Sequence, residues 1–267
     1  MSKVRSWSAA PAVSDIAAAI AVLKSVDQIL VFTGAGISTE SGIPDFRGPD
    51  GLWTKMDPDD FHIDRYRSSP ERRIRGWKMH AAGELWGARS KVAPNKGHVA
   101  ITRLSDQGRL AGVVTQNVDG LHRKSGLDID QVAELHGNVR ECHCLVCGTR
   151  WPTEEVLEWV DAGQEDPACP LCNGLVKTTT VMFGEMLPEE EMKKAGLFLA
   201  IADAVIVAGS TVSVWPAADI VFAAARRPIP VVVVNKGPTD ADSLAVVKLD
   251  GATGEILPEI VKGILGH

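Results

Sequence analysis

A chain of 267 residues, 45% hydrophobic and 23% charged, is long enough to bury a full core and has a globular rather than a disordered composition. Its net charge of -6 argues against nucleic-acid binding by broad phosphate neutralisation. No run of about 20 apolar residues occurs, so no membrane span is expected.

Residues 1–12 read as loose, closed by Pro11, and Ser14 or Asp15 is placed to cap a helix through Lys24. Ile16, Ile20 and Leu23 share one face of it. The apolar stretch 16–23 is too short and too closely flanked by charge for a secretory leader, so a cytoplasmic protein is expected. A strand over 28–32 then meets Gly34-Ala35-Gly36. Glycines there let backbone N–H groups approach an anion, and a following helix would add its positive end. The third glycine of the dinucleotide fingerprint is missing, since position 39 is Thr. A phosphate cradle and a plain tight turn therefore fit Gly34 and Gly36 equally. Gly42-Ile43-Pro44-Asp45-Phe46-Arg47 follows, a stretch suited to folding over a ligand.

From 50 to 95 the pattern is polar and irregular and reads as short helices forming a cap. Arg72, Arg73, Arg75 and Lys78 read as a solvated helix face. A helix over 97–107 leads to a strand over 110–115 and then to Gln116-Asn117-Val118-Asp119-Gly120-Leu121-His122. Further apolar runs cover 131–135, 178–183, 204–208, 231–234 and 245–249. Most lack strict alternation, as expected of strands buried on both faces of a parallel sheet, and helical patterns between them predict a doubly wound α/β fold. Gly34, Gln116, His136, Gly209 and Asn235 each follow such a run, where an α/β sheet holds its ligands.

Cys144-Leu-Val-Cys147 and Cys169-Pro-Leu-Cys172 are two hooks that suit one tetrahedral Zn²⁺, with Gly148 and Gly174 permitting the turns. Four protein thiolates leave no open coordination position, so the expected metal is structural. Cys142 reads as a spare thiol and His143 as a surface residue. Among the histidines, His136 sits ahead of the cysteine module at the seam between two units and is the leading general base, with His122 next.

Together these motifs resemble the sirtuin family, in order from residue 34 to 185: Gly34-Ala35-Gly36-Ile37-Ser38, Gly42 to Arg47, Thr115 to His122, Glu134-Leu135-His136-Gly137, the two cysteine hooks, and Phe183-Gly184-Glu185. Gly209-Ser210 and Val234-Asn235 extend it. The resemblance implies an NAD-dependent protein-lysine deacylase acting on acyl-lysine proteins. Its fold would be a Rossmann-like parallel sheet with helices on both faces (13–55, 95–137 and 177–267). A small domain would add a helical insertion (56–94) and a zinc ribbon (138–176). It implies that Gly34, Ala35, Gly36 and Ser38 line the NAD phosphates and ribose, that Ile43 and Asp45 hold the carboxamide, that Phe46 covers the reacting carbon, and that Arg47 neighbours the phosphates. Gln116, Asn117 and Asp119 would surround the nicotinamide ribose, and Gly209, Ser210, Ser213 and Asn235 would serve the adenosine end. His136 and Asn117 would be catalytic, and Phe183, Gly184, Glu185 and Val214 would clamp the peptide as an added strand. Family members selective for acidic acyl groups share a tyrosine and an arginine three residues apart. Here Trp77 and His80 stand at that spacing, so deacetylation is expected over desuccinylation. Mono-ADP-ribosyl transfer, NAD hydrolysis and longer-chain deacylation are alternatives at the same site.

Overall fold

The computed structural model describes residues 14–48, 51–84 and 87–266. In chain order, α1 (Ile16–Lys24), capped by Asp15, leads into β1 (Ile29–Thr33). A cap of short elements follows, containing α2 (Ile63–Ser68) and α3 (Pro70–Ala81). Then come α4 (Lys96–Asp106), β2 (Leu110–Thr115), α5 (Leu121–Lys124) and β3 (Val132–Glu134). The cysteine module holds β4 (Glu141–Cys144), β5 (Arg150–Pro152), α6 (Thr153–Asp161) and β6 (Val176–Thr178). The chain closes with α7 (Glu189–Ile201), β7 (Ala204–Ala208), α8 (Asp219–Arg226), β8 (Val231–Val234), β9 (Val247–Leu249) and α9 (Thr253–Leu265).

Six parallel strands form one sheet in the order β3-β2-β1-β7-β8-β9. The chain winds outward from β1 in one direction, then returns to β7 and winds the other way, as in a dinucleotide-binding fold. β1 explains the missing alternation. Ile29 and Val31 enter the apolar cluster shared with α1, α4 and α9, while Leu30 and Phe32 enter the one shared with α7 and α8. Both faces are buried, so Ile29 to Phe32 are all apolar. The second sheet is antiparallel, β5-β4-β6, and packs with Trp77 of α3 in a third cluster.

Three expectations are corrected. The glycine loop opens no helix but two 3₁₀ turns, Ala35–Ile37 and Thr39–Ser41, the second ended by Gly42 at φ +90°. Glycines and a proline within that stretch are poor helix formers. The run 178–183 is not a strand of the parallel sheet. Only its first residue belongs to a strand, β6, and β6 runs through the expected boundary at 176/177. Beyond it the backbone is satisfied in several directions: Thr179 N–H donates to Glu141 O, Val181 N–H to His136 O and Phe183 N–H to Phe61 O. Arg73 is not solvated. It is 6% exposed, donates from Nε and Nη2 to Asp166 at 2.9 and 2.8 Å, and donates from Nη1 to the carbonyls of Tyr66 and Arg67. It thereby fastens α3 to the cysteine module, which a run of basic residues does not advertise. Arg75 and Lys78 are exposed as expected.

Candidate active site and metal centre

Register brings the strand ends level. Thr33 lies beside Thr115 and Ala208, Thr115 beside Glu134, and Ala208 beside Val234. Gly34, Gln116, His136, Gly209 and Asn235 therefore leave the sheet along one edge, around the β1–β7 switch point where open α/β sheets bind ligands.

The two glycine loops at that point pack backbone on backbone. A Cβ on Gly34 would sit 2.8 Å from Ser210 Cβ, one on Gly36 2.8 Å from Gly209, and one on Gly209 (φ +64°) 2.2 Å from Ile37 N. Gly34 N–H donates to Ala208 O and Gly36 N–H to Gly209 O at 2.8 Å. These glycines bring two loops together rather than baring their own N–H groups. The polar groups gather beside them. Asn117 Nδ2 donates to Gly34 O and Ser38 Oγ, both at 3.1 Å, and Ser38 Oγ donates to Asp119 at 2.8 Å. Burial pushes the Asp119 carboxyl up, opposed by its bonds from Leu121 N–H and Ser38. Ser210 Oγ donates to Gln116 Oε1 at 2.8 Å, tying β7 to β2. Ser213 pairs with Thr211, and Asn235 Nδ2 bonds the carbonyls of Lys236 and Gly237. Val212 is buried at φ +56°, a costly conformation for a β-branched residue and one concentrated at ligand sites.

The segment 43–48 leaves the turn at Ser38, whose carbonyl accepts from Ile43 N–H. Ile43 is buried, Asp45 accepts from Gly48 N–H at 2.7 Å, and Leu52 and Trp53 N–H donate to the carbonyls of Asp45 and Phe46. The ring of Phe46 lies 5.0 Å from Trp53, which meets Phe61 at 5.1 Å. Arg47 is exposed. The result is a self-closed loop with an aromatic wall.

His136 is half-buried, its Nδ1 2.9 Å from Gln116 O. A carbonyl only accepts, so Nδ1 carries the proton and Nε2 keeps its lone pair. Burial pulls its pKa below 6.5 against the opposing hydrogen bond, so the ring is neutral at neutral pH. His122, the second candidate, is 2% exposed, bonded to Thr33 Oγ1 at 2.9 Å, with its ring tilted against that of His98 at 4.9 Å. It supports the floor of the site from beneath. At the residues expected to clamp a peptide, Phe183 is engaged on both sides, its N–H to Phe61 O and its C=O from Ile63 N–H. Gly184 follows at φ +86° and exposed, while Val214 is half-buried ahead of α8, its C=O accepting from Ala218 N–H. Glu185 folds back on Met182 N–H and Lys177.

In the cysteine module, Cys144, Cys147, Cys169 and Cys172 place their sulfurs within 4.8 Å of one another. Zinc with four sulfurs at about 2.3 Å needs sulfurs about 3.8 Å apart. Two pairs here stand at 3.4 and 3.6 Å. Val146 and Cys147 N–H point at Cys144 Sγ, as suits a thiolate, and a Cβ on Gly174 would sit 2.8 Å from that sulfur. The donor set fits zinc. Cys142 lies apart, buried against Thr153, and His143 is half-buried rather than on the surface because β5 and β6 flank it.

The sequence pattern of the Sir2 family matches residues 34–216. The chain belongs to the Sir2 family. This Sir2 protein is 38% identical over 239 residues to NAD-dependent protein deacetylase 2 of Streptomyces coelicolor, covering 88% of this chain and 97% of that one. It is 40% identical over 236 residues to NAD-dependent protein deacetylase 1 of Bradyrhizobium diazoefficiens, covering 87% and 90%. A solved Sir2 structure with deacetylated peptide and 3'-O-acetyl ADP ribose superimposes with a TM-score of 0.82 at 33% identity, covering 93% of this chain and 98% of that one. Sequence reasoning on this Sir2 protein missed the Ser210–Gln116 bond and the Thr33–His122 support. Each joins residues far apart in the chain, and neither carries a local signal.

Proposed function

We propose that this chain is an NAD-dependent protein-lysine deacetylase that transfers the acetyl group from lysine to ADP-ribose and releases nicotinamide. The observation that carries the reading is His136. It is a neutral imidazole with Nδ1 fixed by Gln116 O, at the sheet edge where the Ser38–Asn117–Asp119 cluster also emerges. The relatives' names support NAD use, and the edge fits it: two loops meet at glycines too close for any Cβ, with hydroxyl, amide and carboxylate groups beside them.

Bound NAD supplies a sugar carbon that loses nicotinamide and accepts the acyl oxygen. This chain's residues prepare and protect that exchange. Gly34, Ala35, Gly36 and Ser38, with Gly209, Ser210, Ser213 and Asn235, would hold the phosphates and adenosine. Ile43 and Asp45 would hold the carboxamide, Arg47 would neighbour the phosphates, and Phe46, backed by Trp53, would exclude water. Gln116, Asn117 and Asp119 would orient the ribose hydroxyls, and His136 Nε2 would take a proton from one of them. Gly184 and Val214, flanked by Phe183 and Glu185, would pair with the backbone of the acyl-lysine peptide. The four cysteines would hold one structural Zn²⁺, closing the ribbon without touching the reaction. We assign 13–55, 95–137 and 177–267 to the NAD-binding unit, 56–94 to the helical part of the small unit and 138–176 to its ribbon, with Lys177 and Thr178 completing the ribbon strand β6 across that boundary. A cytoplasmic location goes with free thiols grouped for a metal, and no nucleic-acid partner is proposed. Among the described residues no helix is long and apolar enough to cross a membrane.

The test is a mass-spectrometric product analysis with acetyl-lysine peptide and NAD. Free-lysine peptide, nicotinamide and O-acetyl-ADP-ribose are expected from the wild type, and none from His136→Ala. Modified protein carrying ADP-ribose, without deacetylated peptide, would overturn the reading in favour of transfer.

A further inference from the structure

Lys177 is a lysine at 1% exposure, in the zinc-ribbon strand β6. Its neighbour Val176 pairs with Cys144, and Lys177 itself pairs with His143. A buried ammonium needs partners for its three donors. Lys177 Nζ finds them in Thr178 O at 3.0 Å, Thr180 O at 2.6 Å and Glu185 Oε2 at 3.0 Å. The same Glu185 oxygen accepts from Met182 N–H at 2.8 Å. The segment 178–185 is thus wrapped around one cation. Its outer side meets the rest of the site: Val181 N–H donates to His136 O, and Phe183 bonds residues 61 and 63. A Cβ on Gly184 would sit 2.8 Å from the His62 ring, so this backbone has little room to move toward the helical cap.

We infer that Lys177 is a positioning residue for substrate, setting the Gly184–Glu185 backbone that receives the acyl-lysine peptide and linking it to the zinc ribbon. The inference rests on the reading of 183–185 as the peptide clamp. Removing the ammonium leaves the half-buried Glu185 carboxylate with a single N–H partner and two carbonyls without their donor, so the segment loses its centre. A residue that only stabilised the fold would weaken NAD and peptide handling together. A positioning residue moves the peptide side alone.

The experiment compares wild type, Lys177→Met, Lys177→Arg, Glu185→Gln and the Lys177→Met/Glu185→Gln pair. Acetyl-lysine peptide Kd is measured by calorimetry, with KM for peptide and NAD and kcat alongside, and zinc content as a folding control. Lys177→Met is expected to raise peptide Kd and KM by about tenfold or more, the factor matched by about 1.4 kcal/mol. The KM for NAD should stay unchanged. Lys177→Arg should recover most of the peptide affinity, and the paired variant should be no weaker than Lys177→Met alone, because the two residues act as one device. Unchanged peptide affinity in Lys177→Met overturns the inference, as does an equal loss for NAD and peptide. If Lys177→Met fails to fold or to hold zinc, Glu185→Gln is read instead. It keeps an acceptor for Met182 N–H and removes the charge partner, and wild-type peptide affinity in it overturns the inference. A wild-type chain that binds no acetyl-lysine peptide overturns the clamp itself, whereas one that binds it while Lys177→Met binds it equally well removes only the role of Lys177.

Discussion

Acidification from about pH 7.5 to about pH 5 asks the fold to protonate two rings that have no room for charge, His98 and His122. They are 0% and 2% exposed, with centroids 4.9 Å apart beneath the glycine loop. His98 Nδ1 accepts from Asn95 N–H, and His122 Nε2 lies 2.9 Å from Thr33 Oγ1. Among the described residues, the second nitrogen of each ring has no hydrogen-bond partner. Burial lowers His98 from 6.5 to about 4 and His122 well below 6.5, and a charge on His98 opposes one on His122. The unfolded chain binds these protons near pH 6.5, while the folded chain refuses them until about pH 4 in the case of His98. Their contribution is therefore complete above pH 6.5 and is lost as the pH falls. For His98, whose folded value lies at about 4, the excluded proton costs about 2 kcal/mol by pH 5, and His122 adds a cost of the same sign. That is a substantial part of the ~5–15 kcal/mol that stabilises an ordinary domain. Urea unfolding followed at half-unit pH steps should show the slope, and His98→Gln should make it shallower. Zinc release at low pH affects both proteins and cancels in the comparison. Equal slopes for wild type and variant would refute the reasoning.

Metal analysis should find about one zinc per chain, with Cys144→Ser losing both the metal and deacetylation through collapse of the ribbon; a metal-free, fully folded chain would refute the site. Gly209→Ala places a Cβ 2.2 Å from Ile37 N at φ +64°, so it should destabilise the fold by about 2 kcal/mol or more and weaken NAD binding, read by thermal shift with and without NAD. Acetyl-lysine peptides should be turned over faster than succinyl-lysine ones, because neither Trp77, buried in the third cluster, nor His80, held neutral by burial, offers a cation to the succinyl carboxylate. Competition between the two peptides, read by mass spectrometry, decides it.

The parallel sheet was legible because its strands are buried on both faces, so Ala204–Ala208 and Val231–Val234 appear as unbroken apolar runs with their boundaries intact. The ends of those runs then located Gly34, Gln116, His136, Gly209 and Asn235, since a parallel sheet delivers every strand's carboxyl end to one edge. The cysteine hooks were legible for a different reason: a metal imposes its spacing on sequence directly. What stayed hidden depends on partners distant in the chain. Arg73 reads as one basic residue among several until Asp166 is brought to it. The run 178–183 has strand composition, yet its hydrogen bonds go to Glu141, His136 and Phe61, none of which a local pattern reveals. The glycine loop shows the two situations together. Gly34 and Gly36 stand out in the sequence as positions that could free their own N–H groups for an anion. In the fold those N–H groups bond Ala208 and Gly209, and the glycines are required because a second loop lies against them. The glycines form a joint between two loops roughly 170 residues apart in the chain. Neither loop states its purpose alone. The switch point of the sheet supplies the missing half, by placing β1 and β7 side by side.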